Sequence, residues 1–158
     1  MPEFLDYNRT IVGYHRTSKT RAEQIVRNQS FNPSKDRDDW LGHGMYFWEH
    51  APTQAWWWAK RKHKADAAVV ASIIRLGNCL DMLDPENGKL LREFHNALVN
   101  PGVDLPANYN TRKYRDCAVF EAYYKSVAER QEPAVEIARG VYVPTPGASG
   151  QKGGGYRL

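Results

Sequence analysis

The sequence has little cysteine: only Cys79 and Cys117, with no Cys-x-x-Cys pair. Both stand among apolar neighbours, so we expect buried free thiols in a reducing compartment and no disulfide. The first residues lack a basic segment followed by an apolar run, so no signal peptide is predicted. No stretch approaches the ~18 apolar residues of a membrane span. These absences predict a cytoplasmic protein that does not contact a membrane.

Basic and aromatic residues are abundant. The net charge is +4, and the chain contains five tryptophans and nine tyrosines. A basic balance fits either a solvated surface or a polyanionic partner such as a nucleic acid or a dinucleotide. The run Lys60-Arg61-Lys62-His63-Lys64, at a predicted helix end, has the same two interpretations. Trp56 to Trp58 cannot share one helix face, so we expect at least one of them to be buried.

The order of apolar patterns predicts an α+β fold in residues 1–143, followed by a Gly/Pro-rich flexible tail in residues 144–158. The pattern of Val, Ile and large apolar residues indicates strands, and a 3.6-residue spacing indicates helices. The predicted strands are Thr10 to Tyr14, Met45 to Trp48, Ala67 to Leu76 (buried, central and ended by Gly77-Asn78) and Val135 to Val143. The predicted helices are Lys19 to Asn28 with Ser18 as its cap, Thr53 to Lys64, Asp84 to Val99, and one from a Thr111 cap to about Gln131.

His15 stands at the end of the first predicted strand, in Tyr14-His15-Arg16-Thr17. A histidine there can donate a hydrogen bond to a ribose hydroxyl, while the neighbouring backbone pairs with an amide. The alternative is a histidine that is simply packed and satisfied.

A second segment, residues 40–49, places Gly42 and Gly44 directly before a predicted strand. Glycines let a backbone approach a ligand closely. Alternation along the strand would send Tyr46 to one face, together with Trp48, and Phe47 to the other. One face would then stack on a ring while the other fills the core; the alternative is a hydrophobic strand after a glycine turn.

Together these segments resemble the diphtheria-toxin-like, or PARP-like, branch of the ADP-ribosyltransferases, above all its small bacterial members. The likeness covers about residues 10 to 142, and its specificity lies in the order and spacing of the motifs. The motifs are Tyr14-His15-x-Thr17, Ala22…Ile25, Phe31-x-x-Ser34, Asp39-Trp40-Leu41-Gly42-x-Gly44-x-Tyr46-Phe47-Trp48, Ala51 to Ala59, Leu76-Gly77-Asn78-Cys79-Leu80-Asp81, Asp116-Cys117-Ala118-Val119 and Arg139-Gly140.

The resemblance implies a split, mainly antiparallel β-sheet with surrounding helices and a cleft that binds NAD as co-substrate. It implies an NAD-dependent mono-ADP-ribosyltransferase of bacterial toxin or effector type. Such an enzyme breaks the glycosidic bond of NAD through an oxocarbenium-like state and transfers ADP-ribose to a macromolecule, either protein or nucleic acid.

The resemblance also implies roles for individual residues. His15 would hold the adenosine ribose, the main chain of Arg16 the nicotinamide amide, and Tyr46 would stack on the nicotinamide ring. Ser34 would border the adenine. Thr17, Gly42, Gly44 and Phe47 complete the expected NAD-binding set.

Two departures from the family pattern affect the expected activity. The family usually has glycine at the position of Arg16, whose side chain would either bind a phosphate or block NAD. The family also usually has a last strand with a Glu or Gln against the ribose, whereas here Pro- and Gly-rich sequence follows Arg139-Gly140. The chain is therefore expected to be truncated, degenerate or completed by a partner protein, with slow or absent transfer on its own.

Glu49 is the best substitute for the missing group, because it follows the strand that carries Tyr46. The alternative is an acid that favours the dipole of the next helix. With His15 and Tyr46, Glu49 completes the predicted catalytic set.

Two other functions remain open: a non-catalytic NAD or ADP-ribose-binding module, or degenerate toxin, and a basic nucleic-acid-binding domain that uses Lys60 to Lys64 and the tryptophans. The arginine-type branch of the superfamily is disfavoured, because its Ser-Thr-Ser and Glu-x-Glu motifs do not occur. No metal is predicted, because His43, His50 and His63 lack ligand spacing around Glu49.

Overall fold

The computed structural model describes residues 6–142 and 155–157, and only the backbone of residues 6, 7 and 155–157. These residues form an α+β fold, as the sequence predicts. The elements are β1 (Asp6–Ser18), α1 (Lys19–Asn28), β2 (Trp48–Glu49), α2 (Pro52–His63), a 3₁₀ turn (Lys64–Asp66), β3 (Ala67–Asp81), α3 (Pro85–Val99), α4 (Tyr114–Glu129), β4 (Ile137–Tyr142) and β5 (Gly155–Arg157).

The long strands β1 and β3 form the base of the sheet. They pair antiparallel from Ser18↔Ala67 to Asp6↔Asn78. The last residues of β3 then pair with β4 in parallel, while β1–β2, β2–β5 and β5–β4 pair antiparallel. The strands thereby close into a ring in the order β1-β2-β5-β4-β3.

Strand β3 corrects two predictions. It does not end at Gly77-Asn78, because Gly77 adopts a positive φ of 52° and the Asn78 side chain donates to the Ala134 carbonyl at 2.6 Å, which holds the chain in the sheet. It is also not buried throughout: Ile73 is 81% exposed. Residues 68–76 pair with β1 on one side only, and no described strand covers their other edge.

The predicted strand Met45 to Trp48 is wrong over its first three residues. Only Trp48 and Glu49 join the sheet, opposite Tyr14 and Gly13. Two residues before Trp48, the Tyr46 carbonyl accepts a hydrogen bond from the His15 side chain and not from the backbone of a neighbouring strand.

The helices lie close to their predicted ranges. The Ser18 hydroxyl accepts from the Arg21 amide at 3.3 Å, which caps α1 as predicted. Asp84 caps α3 in the same way, at 3.0 Å from the Glu86 amide. Helix α4 begins at Tyr114 and its N-cap is Lys113, so the predicted Thr111 cap is wrong.

The predicted tail is also corrected in part, because Gly155–Arg157 forms β5 between β2 and β4. The rest of that segment lies outside the described residues.

Two clusters of buried side chains fill the interior. One joins α3, α4 and the end of β3; the other lies beneath β1 and contains Ile11, Phe47, Leu76 and Cys79. Both cysteines are buried free thiols, as predicted. Burial raises the pKa of Cys79 to about 12 and that of Cys117 to about 11, which keeps both thiols protonated and unreactive. No described helix combines the length and the apolar character needed to cross a membrane.

Candidate functional site

A pocket of about 840 Å³ opens beside the uncovered edge of β3. Its walls are the loop before β2, β3 residues 71–74, Tyr124 of α4 and residues 135–138 leading into β4. Of the predicted site residues, Gly42, Gly44, Tyr46 and Phe47 line it. Its volume is in the range of ~300–1,000 Å³ typical of small-molecule sites.

His15 is not among the residues that line this pocket, but it packs against two that are. Its ring contacts Phe31 and Phe47, with centroids 5.2 and 5.5 Å away, and both phenylalanines line the pocket. Its Nδ1 lies 2.8 Å from the Tyr46 carbonyl oxygen. Because a carbonyl only accepts, Nδ1 carries the proton.

The charge state of His15 determines whether its second ring nitrogen, Nε2, donates or accepts. Burial lowers the pKa of His15; the Tyr46 hydrogen bond opposes the shift, and Arg16, Arg21 and Lys62 add to it. The neutral ring, protonated at Nδ1, leaves Nε2 as an acceptor. In this state Nε2 would accept a hydrogen bond from a ribose hydroxyl; the expectation that His15 holds the ribose stays a prediction.

Tyr46 is fixed by the glycine turn that precedes it. Its hydroxyl donates to the Gly42 carbonyl at 2.5 Å and accepts from the Leu41 amide at 3.2 Å. Gly42 is required there, because its φ is +82° and a Cβ would meet the Tyr124 ring at 2.8 Å. The turn and the hydroxyl hold the Tyr46 ring in place at the pocket wall.

Ser34 joins the two ends of the loop 34–44 through backbone hydrogen bonds. Its amide and carbonyl pair with the carbonyl and amide of Gly44 at 2.7 and 3.1 Å. Its hydroxyl donates to Asp39 Oδ1 at 3.0 Å. No atom would meet a Cβ on Gly44 within 4 Å, so this glycine stands at open space beside the pocket.

Arg16 and Thr17 are not among the residues that line the pocket. Thr17 is buried. Arg16 is half-buried, and burial lowers its pKa, opposed by the charges of Asp36 and Asp39. The Arg16 guanidinium is therefore close enough to Asp36 and Asp39 for their charges to act on it.

Glu49 lies away from the pocket in a buried charge cluster. Its Oε2 lies 2.7 Å from Nε of Arg139, whose Nη1 lies 2.9 Å from Asp81 Oδ2. The side chains of Glu49 and Asp81 are 3% and 6% exposed. Although burial opposes it, the hydrogen bonds that Arg139 donates to both carboxylates raise the pKa of its guanidinium.

The alternative interpretation of Glu49, as an acid serving the dipole of α2, is wrong, because its carboxylate is bound to Arg139. Its predicted catalytic role stays a prediction.

Sequence reasoning missed three pocket residues: Phe31, Tyr124 and Glu136. Tyr124 donates from its hydroxyl to the Leu41 carbonyl at 2.8 Å. Glu136 accepts from the Asn78 amide at 3.1 Å and brings a carboxylate to the pocket wall. Phe31 stood in the family motif without a role, and no local pattern marked the other two.

Helix α2 carries the basic run at its end. Lys60 lies over the Trp56 ring at 5.2 Å, and Arg61 over Trp57 at 5.5 Å. Trp56 is exposed, whereas Trp58 is half-buried and stacks on buried Trp48. Within residues 6–142, no group of three or more His, Cys, Asp or Glu residues gathers at a potential metal site.

Fold and site together define an α+β protein with an aromatic pocket at a sheet edge. No family model and no solved structure matches the chain. A relative in Methanocaldococcus jannaschii, uncharacterized protein MJ0359, is 39% identical over 54 residues. That match takes in 32% of this chain and 24% of the relative, so the chain spans about a quarter of that protein's length.

Proposed function

We propose that this chain binds NAD in the aromatic pocket and acts as an NAD-dependent mono-ADP-ribosyltransferase of bacterial toxin or effector type. The observation that carries the proposal is His15, held neutral against the Tyr46 carbonyl beside the pocket. The ordered motifs that resemble the diphtheria-toxin-like branch support it independently.

In this proposal each pocket residue has a task. The nicotinamide ring stacks on Tyr46, whose hydroxyl is held by the glycine turn. His15 Nε2 accepts from a ribose hydroxyl. Gly44 admits the ligand close to the backbone, since nothing stands where its Cβ would be.

The reaction breaks the bond between ribose C1′ and the nicotinamide nitrogen. Nicotinamide leaves with the bonding electrons, and a nucleophile of the acceptor bonds to C1′ and loses its proton to solvent. A carboxylate facing the ribose lowers the energy of the oxocarbenium-like state. Glu49 is paired with Arg139 away from the pocket, so we assign this task to Glu136, the acid that lines the pocket.

A second candidate is a non-catalytic NAD or ADP-ribose-binding module. The ion pair between Glu49 and Arg139 favours this module, because it occupies the carboxylate that was predicted to be catalytic. The two functions differ in one outcome: a module binds NAD but transfers no ADP-ribose.

Titration calorimetry with NAD tests the proposal. We expect binding heat from the native chain and at least ~10-fold weaker binding by His15→Ala, since a lost ligand hydrogen bond costs roughly 1.5 kcal/mol. Tyr46→Ala should weaken binding similarly, whereas Tyr46→Phe, which keeps the ring, should retain most of the affinity.

Matched controls are His95→Ala on α3 and Tyr109→Ala, whose ring is 68% exposed. Both should bind NAD like the native chain. Absence of heat and of any NAD-dependent rise in Tm in the native protein would refute NAD binding.

A further inference from the structure

The end of helix α2 presents a positive surface beside His15. This surface, the α2 basic face, consists of Trp56 and residues 60–64. Lys60, Lys62 and Lys64 are exposed, and α2 contains no acidic residue. Within the described part of the chain, none of these three lysines has a carboxylate at ion-pair distance.

The positive charge continues toward the pocket. Apart from burial, which is the largest cause, Lys62 lowers the pKa of His15, and Lys62 and Arg16 lower the pKa of His63. These groups are therefore close enough to act on one another. Helix α2 packs against β1, the strand that carries His15, so the α2 basic face and the proposed NAD site lie on neighbouring elements.

An exposed aromatic ring accompanies the cations. Trp56 is 44% exposed and lies under the Lys60 ammonium at 5.2 Å. Lysines that hold phosphates next to a ring that stacks on bases form the combination used to bind single-stranded nucleic acid without strict sequence preference.

We propose that the α2 basic face binds single-stranded nucleic acid and delivers it to the pocket. The further claim that this nucleic acid is the ADP-ribose acceptor rests on the proposed function. In that reaction a base nitrogen or a phosphate or hydroxyl oxygen attacks ribose C1′, nicotinamide departs with the bonding electrons, and the proton of the nucleophile passes to solvent.

Fluorescence anisotropy with labelled single strands of DNA and RNA, about 15 nucleotides long, tests the binding without NAD. Removal of three phosphate-binding cations in Lys60→Ala/Lys62→Ala/Lys64→Ala should lower the slope of log K against log salt by about 2, at ~0.7 for each cation. Trp56→Ala should weaken binding roughly 10-fold, and Trp56→Phe should restore most of it.

The matched control is Lys89→Ala/Lys113→Ala/Lys125→Ala, which removes the same charge from exposed positions elsewhere. Its slope should stay near that of the native chain. Equal losses in both triple variants, or stronger binding to vesicles containing phosphatidylserine than to the strands, would overturn the proposal.

Three further outcomes separate this inference from the proposed function. His15→Ala should leave nucleic-acid binding unchanged even where it abolishes NAD binding. If the α2 triple variant loses NAD affinity but binds the strands normally, the lysines serve the NAD phosphates and the inference fails. If the strands bind but labelled NAD modifies only protein, the assignment of nucleic acid as acceptor fails.

Discussion

At the scale of single residues, His15 combines a fixed tautomer with a depressed pKa. Its Nδ1 proton is committed to the Tyr46 carbonyl, and burial disfavours the charged ring. Both effects leave Nε2 unprotonated at neutral pH, so that it can accept a hydrogen bond from a hydroxyl group. A substrate hydroxyl would therefore bind more weakly as His15 becomes protonated.

The depressed pKa also makes folding depend on pH. Because the folded pKa lies below the unfolded value of about 6.5, the unfolded chain binds the proton more readily. The free energy of unfolding is therefore at its full value above pH ~6.5. It decreases as the pH falls from there through the lowered pKa of the folded state, because the unfolded chain is protonated first.

Urea unfolding across that range, compared between the native chain and His15→Gln, measures this effect. The variant should lose less stability on acidification than the native chain. His63→Gln is the control for the other histidine with a lowered pKa, which is more exposed. Identical pH profiles for the native chain and His15→Gln would contradict the assigned state of His15.

At the scale of elements, Arg139 holds three strands together. It lies on β4 and binds Glu49 of β2 and Asp81 of β3 at 2.7 and 2.9 Å. Its neighbour Gly140 makes room for the Trp40 ring, which a Cβ there would meet at 2.9 Å.

Replacing Arg139 with methionine should lower the free energy of unfolding by about 3–5 kcal/mol, because two buried carboxylates lose their partner. Chemical denaturation measures the loss. Adding Glu49→Gln and Asp81→Asn to that variant should recover part of it. Arg130→Met, which removes an exposed ion pair with Glu132, should change little. An equal effect of both arginine variants would contradict the role of Arg139.

Local signals predicted the elements better than the contacts between them. The bounds of α1 followed from its cap and spacing, because both act within one turn. The end of β3 did not, because Gly77 and Asn78 are held by residues 133–136, far along the chain. Loop residues 45–47 were predicted as strand, since their composition does not reveal that His15 binds the Tyr46 carbonyl.

At the scale of the whole molecule, the candidate site was predicted only in part. Gly42, Gly44, Tyr46 and Phe47 share the pocket because one continuous loop carries them. Glu136, directly before β4, and Tyr124 of α4 reach it through tertiary packing, which no pattern along the chain encodes. Glu49 stands three residues after Tyr46, yet Arg139 draws its carboxylate into a separate buried cluster.

The most direct test of the proposed function is incubation with labelled NAD and cell lysate. We predict slow incorporation of label into a macromolecule by the native chain, because the sequence departs from the family pattern at Arg16 and after Arg139-Gly140. His15→Ala and Tyr46→Ala should abolish labelling, and Glu136→Gln should reduce it while NAD still binds. His95→Ala should label like the native chain. No labelling despite NAD binding, or labelling that survives both His15→Ala and Tyr46→Ala, would contradict the proposed transferase.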